Sequence, residues 1–318
     1  MKMLVPLIVL LMPLAVPAQE PELLARGRYI MRAGACDSCH TDHQGQGAFL
    51  AGGRALKTRF GTFYAPNLTP DPATGLGEWT LEDFRQAMIS GLSPDGSPYY
   101  PVFPYRWYTG MTEADLTALW AYLRSIPPRH NPVAEHRLDF PFSVRSVVWA
   151  WRLLNFEEGA SALDSRREDL WNRGAYLVNH LGHCGACHTP KLMGNFLSGW
   201  FLGGAQELPG TLPAPNITPH PTGIQGWSRE DVVRALYRAM APDGSPIRGH
   251  MARYVLVGSS YLTEADLTAI ARYLETVEPV EQRLEYRPVW EQGEGQRGHG
   301  WAGVRSLIAE WGNLTRAK

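Results

Sequence analysis

The chain has 318 residues, 44% of them hydrophobic, and a formal net charge of −1. That length suits two domains of ordinary size with well-filled cores. The near-neutral balance, without a block of like charge, gives no reason to expect a nucleic-acid partner. At the N-terminus, Lys2 precedes an apolar run over residues 4–16 that is broken by Pro6 and Pro13. Val16-Pro17-Ala18 then offers small residues for cleavage before Gln19, so residues 1–18 are predicted to be an export signal peptide. The run falls short of the roughly 20 apolar residues of a membrane span. An uncleaved anchor is the alternative, and no later segment is long and apolar enough to span a bilayer.

A helix is predicted over residues 22–33, where Leu23, Leu24, Ile30 and Met31 share a face. It leads into Cys36-Asp37-Ser38-Cys39-His40, and the same five-residue form recurs at Cys184-Gly185-Ala186-Cys187-His188. This C-x-x-C-H run is the attachment pattern of c-type haem. The two cysteines form thioethers to the haem vinyl groups, and the adjacent histidine supplies the proximal nitrogen to iron. All four cysteines of the chain fall in the two runs, so Cys36, Cys39, Cys184 and Cys187 are predicted to bind two covalent haem c groups, with His40 and His188 as iron ligands. A disulfide framework needs no histidine after each pair. A four-cysteine zinc site would need the pairs to meet, yet they stand 148 positions apart and each opens its own repeat. A thioredoxin-like motif would need a βαβ pattern, which is missing around both runs.

The repeat extends well beyond the cysteines. Arg26-Gly27-x-Tyr29 is matched by Arg173-Gly174-x-Tyr176, on a second predicted helix over 170–181. The glycine permits close helix approach, and the aromatic packs beside it. Asn67-Leu68-Thr69-Pro70 matches Asn216-Ile217-Thr218-Pro219, and Trp79 matches Trp227. Pro94-Asp95-Gly96-Ser97-Pro98 matches Pro242-Asp243-Gly244-Ser245-Pro246 at an offset of 148, and Thr112-Glu113-Ala114-Asp115-Leu116-Thr117 recurs from Thr263 at 151. Thr80 and Ser228 are predicted to cap one helix per copy, with Asp83 and Asp231 three residues on. Thr112 and Thr263 are predicted to cap the last helix of each copy. No sustained alternation of apolar and polar residues suggests a sheet. The fold class is therefore all-α: two copies of one loop-rich helical domain, each with a core thin enough to need a cofactor.

The order C-x-x-C-H, N-[LI]-T-P, tryptophan, P-D-G-S-P, T-E-A-D-L-T and a final helix resembles class I cytochrome c domains. In tandem, over about residues 20–280, it is similar to the cytochrome c subunits of periplasmic alcohol, aldehyde and gluconate dehydrogenases. Trp171-Asn172-Arg173-Gly174-Ala175-Tyr176-Leu177 through Cys187-His188-Thr189-Pro190 is typical of that group. Many of those subunits carry three haems, whereas this chain has two attachment runs. The resemblance implies a signal peptide (1–18), cytochrome c domain 1 (19–126), a linker (127–168), cytochrome c domain 2 (169–278) and a tail (279–318). It also implies a periplasmic dihaem cytochrome that relays electrons from a dehydrogenase subunit to a quinone, another cytochrome or an oxidase. Membrane association would come through a partner.

The distal ligands are where the two copies differ. Met251, in Gly249-His250-Met251-Ala252 ahead of the last helix, is predicted to bind the second iron, with His250 as its rival. A thioether ligand favours ferrous iron and raises the potential. At the same register in the first copy stands Phe103, which cannot bind iron. Met111 aligns with Leu262 and Met88 with Leu236, both core positions; His43 is too near His40, and His130 and His136 lie in the linker. The first haem is therefore expected to lack methionine. An open first haem keeps an alternative in view, a dihaem enzyme resembling peroxidases or thiosulfate dehydrogenases. Nothing else in the chain resembles a substrate-oxidising site. Within the linker, the apolar and aromatic residues 140–156 are predicted to bridge the two domains, or else to dock a dehydrogenase or membrane. The tail is Gly-rich at 293–303 and helical at 304–311, with a docking role left open.

Overall fold

The computed structural model describes residues 19–159, 163–192, 195–196, 198–206 and 213–284. The predicted export signal, and the tail beyond residue 284, lie outside the described residues. Helix α1 (Gln19–Ala33) precedes a short turn of helix, α2 (Cys36–His40), which carries the first attachment run. α3 (Leu81–Ser90), α4 (Tyr105–Tyr108) and α5 (Glu113–Ser125) complete the first repeat. In the second, α7 (Asp169–Tyr176) continues as a wide π turn over Leu177–Leu181, followed by α8 (Gly185–His188). α9 (Arg229–Arg238), α10 (Gly249–Val257) and α11 (Glu264–Leu274) then follow. Between the repeats lies α6 (Arg145–Asn155). Among the described residues, no helix is long and apolar enough to cross a membrane.

Local chemistry sets these boundaries. Thr80 and Ser228 each form a capping box with Asp83 and Asp231, satisfying the exposed N–H groups at the starts of α3 and α9. Thr112 and Thr263 accept from the backbone N–H of Asp115 and Asp266, with acidic first turns that suit the helix dipole. α3 buries Phe84, Ala87 and Met88, and α9 buries Val232, Ala235 and Leu236 at the same spacing.

The first helix of each repeat crosses the last at very short range. A Cβ on Gly27 would fall 1.9 Å from the carbonyl oxygen of Ala118, and one on Gly174 would fall 2.0 Å from that of Ala269. Only glycine allows this approach. Beside each crossing an arginine binds an aspartate: Arg26 holds Asp115 at 2.8 Å, and Arg173 forks onto both oxygens of Asp266 at 2.8 and 2.7 Å.

The neighbouring tyrosines do more than pack beside the glycines. Tyr29 donates to Asp266 Oδ2 at 2.5 Å, and Tyr176 donates to Asp115 Oδ2 at 2.6 Å. Each tyrosine also accepts a backbone N–H from the other repeat's cap, Thr263 for Tyr29 and Thr112 for Tyr176. The repeats thus exchange tyrosines reciprocally, as in an isologous interface within one chain.

The helical expectation is corrected in one respect, because a small sheet is present. β1 (Ala55–Thr58) and β2 (Gly61–Tyr64) form an antiparallel hairpin, and β3 (Arg137–Leu138) adds to β2 from the linker. A second pair is β4 (Lys191–Leu192) with β5 (Asn195–Phe196). These strands have two to four residues, too few for alternation to be read. The hairpin is held at its turn by the Thr58 hydroxyl, which accepts from Phe60 N–H at 3.1 Å.

Helix α6 lies against the first repeat. Val148 is buried, Arg152 donates to the Ser90 carbonyl at 2.7 Å, and Phe156 meets Tyr105 edge to face. Its other face turns outward, leaving Leu153 84%, Leu154 80% and Trp149 48% exposed.

Candidate functional site

The two attachment runs are built alike. Each follows a residue in the left-handed region, Ala35 at φ 48° and His183 at φ 39°, which turns the chain from the first helix into the run. Within each run the cysteines form no disulfide. Burial is the main cause that pushes the Cys36 and Cys184 thiols up to about 12, with the second cysteine of each pair adding to it. Both thiols are therefore neutral near pH 7.

Each histidine has one ring nitrogen fixed. His40 Nδ1 lies 2.8 Å from the carbonyl oxygen of Pro66, and His188 Nδ1 lies 2.8 Å from that of Pro215. A carbonyl can only accept, so Nδ1 carries the proton and Nε2 keeps its lone pair. Burial holds both imidazoles below the ordinary histidine range, so they are neutral. A neutral imidazole, oriented through Nδ1 by a backbone carbonyl, is the arrangement that metal-ligating histidines use.

This reveals the work of the N-[LI]-T-P motif, which the sequence marked only as a repeat. The Asn67 side-chain carbonyl accepts from Thr69 N–H at 2.9 Å while its amide donates to the Arg129 carbonyl at 2.7 Å. Asn216 does the same with Thr218 N–H at 2.9 Å and the Val280 carbonyl at 2.6 Å. The turn so formed fixes the proline just before it, and thereby the carbonyl that meets the histidine. Pro66 and Pro215 were not singled out from the sequence. Their place immediately before a repeated motif was the available signal. Further bonds frame each run from behind, from Gly52 N–H to the His40 carbonyl and from Gly204 N–H to the His188 carbonyl.

At the positions expected for the distal ligands the two repeats carry different residues. Leu92 pairs with Pro98, and Met240 with Pro246, in matching bridges. Five residues beyond each proline stand Phe103 and Met251. Both are half-buried against the apolar core. Met251 lies in α10, a nine-residue helix where the sequence suggested a loop. Phe103 belongs to an aromatic group with Tyr99, Tyr105 and Tyr108, at centroid distances of 5.5, 6.1 and 5.9 Å. Met88 and Met111 are each 6% exposed within the core cluster.

The histidines considered as rivals have other neighbours. His43 Nε2 faces Asp37 at 3.2 Å, and His130 faces Asp71 at 3.4 Å. His136 accepts from Tyr64 N–H at 3.3 Å and packs on Phe63 and Tyr100. Among the described residues, no three His, Cys, Asp or Glu side chains gather as a metal cluster, so the four cysteines do not converge on one zinc site. Paired cysteines outside any disulfide, followed by a neutral imidazole with a fixed tautomer, suit haem c at both runs.

Comparison with known proteins places the chain among cytochromes c. The sequence model of the family described as cytochrome c matches residues 24–127. A "Diheme cytochrome c-type" protein of Cereibacter sphaeroides is 40% identical over 280 residues, covering 82% of this chain and 90% of that protein. The "Fructose dehydrogenase cytochrome subunit" of Gluconobacter japonicus is 38% identical over 272 residues, 83% of this chain and 54% of the relative. The cytochrome c subunit of "Alcohol dehydrogenase (quinone)" from Gluconacetobacter polyoxogenes is 35% identical, covering 83% of this chain and 58% of the relative. The chain thus spans little more than half the length of these two dehydrogenase subunits.

Proposed function

The chain belongs to the cytochrome c family, whose members hold haem c covalently, and on that footing we propose that it is a dihaem electron-transfer protein of the periplasm. Its parts are an export signal over 1–18, tandem class I cytochrome c domains over 19–126 and 169–278, a linker over 127–168, and a tail from 279. Cys36 and Cys39 hold one haem c, and Cys184 and Cys187 hold the other. His40 and His188 ligate the irons, and Met251 completes the second. When bound, each haem supplies a one-electron ferric/ferrous couple.

The chain's own residues orient and tune that couple. Pro66 and Pro215 fix the histidine tautomers. The observation that carries the reading is the pair of 2.8 Å contacts from His40 and His188 to a proline carbonyl, one in each C-x-x-C-H run. The electron donor is a dehydrogenase subunit, as the relatives' names suggest, and the acceptor is a quinone, a cytochrome or an oxidase. The outward apolar face of α6 offers a surface for such a partner or for a membrane. The test is haem count: the mature protein carries two haems by mass, and Cys184→Ala with Cys187→Ala leaves one. A single haem on the unmutated protein overturns the reading.

A second reading rests on Phe103. An aromatic group where the second repeat has Met251 leaves the first iron without a thioether. That is the setting for a dihaem enzyme, of the peroxidase or thiosulfate dehydrogenase kind, acting at an open first haem. Carbon monoxide binding by one ferrous haem, with turnover of peroxide or thiosulfate, would favour it; carbon monoxide binding without turnover leaves the electron-transfer reading in place.

A further inference from the structure

The segments that lead into the two C-x-x-C-H runs meet across the contact between the repeats. His183 immediately precedes Cys184, and its Nε2 lies 3.3 Å from the carbonyl oxygen of Gly34, two residues before Cys36. That imidazole is flanked by a tyrosine from each repeat, with Tyr108 at 5.5 Å and Tyr254 at 6.5 Å between ring centroids. Tyr108 donates to the same Gly34 carbonyl at 3.3 Å, and Tyr254 donates to the carbonyl of Ala33 at 3.3 Å.

Both tyrosines also border a cysteine. A Cβ on Gly34 would sit 3.5 Å from Cys36 Sγ and 3.5 Å from the Tyr108 hydroxyl. One on Gly182 would sit 3.0 Å from the Tyr254 hydroxyl and 3.7 Å from Cys184 Sγ. Arg253 adds a contact to the Ser38 carbonyl at 3.3 Å, inside the first run. The route from Cys184 to Cys36 is therefore one peptide link, one imidazole, one hydrogen bond and two peptide links. The alternative, around the chain, runs through 148 positions.

The repeat itself singles out His183. Its partner in the first copy is Ala35, in the same left-handed conformation. Left-handed backbone is unfavourable for a residue with a Cβ, and alanine meets the local need in one copy. The imidazole is thus an addition to one repeat and lies at the contact with the other. With Nε2–H donating to Gly34, the ring links the two runs.

We propose that His183 is a positioning residue for electron exchange between the two haem sites, linking the Cys184 run to the Cys36 run, with Tyr108 and Tyr254 holding the imidazole in place. This rests on the dihaem reading above. One electron passes from a reduced site to an oxidised one. No bond forms or breaks, and the proton on His183 stays where it is.

The experiment uses the full mature protein, its haem content counted first. A pulse of reductant delivers less than one electron per molecule, and the concentration-independent redistribution between the sites is followed by absorbance. His183→Ala is expected to fold, because alanine occupies the matching position in the first repeat, and to slow redistribution by about tenfold. His183→Gln, which can still donate to Gly34, is expected to keep most of the rate. Both midpoint potentials are expected to stay close to those of the unmutated protein, which separates a broken link from a changed driving force. Two haems with an unchanged rate in His183→Ala overturn the proposal and leave the dihaem reading intact. A rate lost equally in His183→Ala and His183→Gln also overturns it. A single haem overturns the dihaem reading itself.

Discussion

Removing one hydroxyl from the exchanged tyrosines should weaken the contact between the repeats by a measurable amount. Tyr29→Phe deletes the 2.5 Å bond to Asp266 and the acceptor for Thr263 N–H, while leaving the ring in place. Hydrogen bonds to charged groups contribute about 1.5–3 kcal/mol. Because Arg173 still forks onto Asp266, the carboxylate is not orphaned, and the lower half of that range, about 2 kcal/mol, applies. Tyr176→Phe should cost a similar amount at Asp115. Arg173 joins the two sites, because it forks onto Asp266 and lies over the Tyr176 ring at 5.6 Å, so the loss in the double variant is expected to depart from the simple sum of the two. Urea unfolding followed by tryptophan fluorescence measures this, and the double variant is expected to split one transition into two. The pH dependence has a fixed sign. Burial works to raise the Asp266 pKa, but the bonds from Arg173 and Tyr29 together hold it below the ordinary value. A depressed carboxyl contributes stability that is full above its unfolded pKa, about 3.9, and is lost as pH falls through the folded value. Acid should therefore loosen the contact, and less so in Tyr29→Phe. A change below about 0.5 kcal/mol in Tyr29→Phe would class the bond with ordinary surface pairs and refute the reasoning.

Met251→Ala should abolish the weak far-red sulfur-to-ferric-iron band and lower one midpoint potential, because the ligand that favours ferrous iron is gone; an unchanged band excludes Met251 as ligand. Phe103→Met should convert the first haem to a six-coordinate low-spin form with a raised potential, seen by electron paramagnetic resonance. Two low-spin His/Met haems in the unmutated protein would instead point to Met111 or Met88. Gly174→Ala puts a Cβ 2.0 Å from the Ala269 carbonyl and should destabilise the fold by about 1–3 kcal/mol in urea unfolding, with an unshifted midpoint as the contrary result.

The candidate haem runs stood out in the sequence because covalent attachment would demand fixed residue types at fixed spacing. C-x-x-C-H leaves little freedom, and the helix caps at Thr80, Thr112, Ser228 and Thr263 are equally local. What escaped was set by contacts distant in sequence or by elements too short to show a period. The β1–β2 hairpin has four residues a side, and β3 reaches it from 73 positions beyond Tyr64. The proline carbonyls behind His40 and His188 act through backbone atoms, which leave no residue-type signature. Tyr29 and Tyr176 read as packing aromatics because their partners belong to the other repeat.

The differences between the copies say more than their likeness. Residues that match, such as Gly27 with Gly174 or Asn67 with Asn216, build the frame that any such repeat needs. Residues that do not match are free of that requirement, so a departure needs its own cause. Phe103 against Met251 falls at the position proposed for a distal iron ligand. Ala35 against His183 falls on the contact between the repeats, where a side chain can join one cofactor run to the other. A third departure, Asp37 against Gly185, places a buried carboxylate inside the first run, with Arg32 at 3.5 Å and His43 at 3.2 Å. In the second run the same place is taken by the Trp107 ring, which a Cβ on Gly185 would meet at 2.2 Å. One repeat thus puts charge where the other admits its neighbour's aromatic ring.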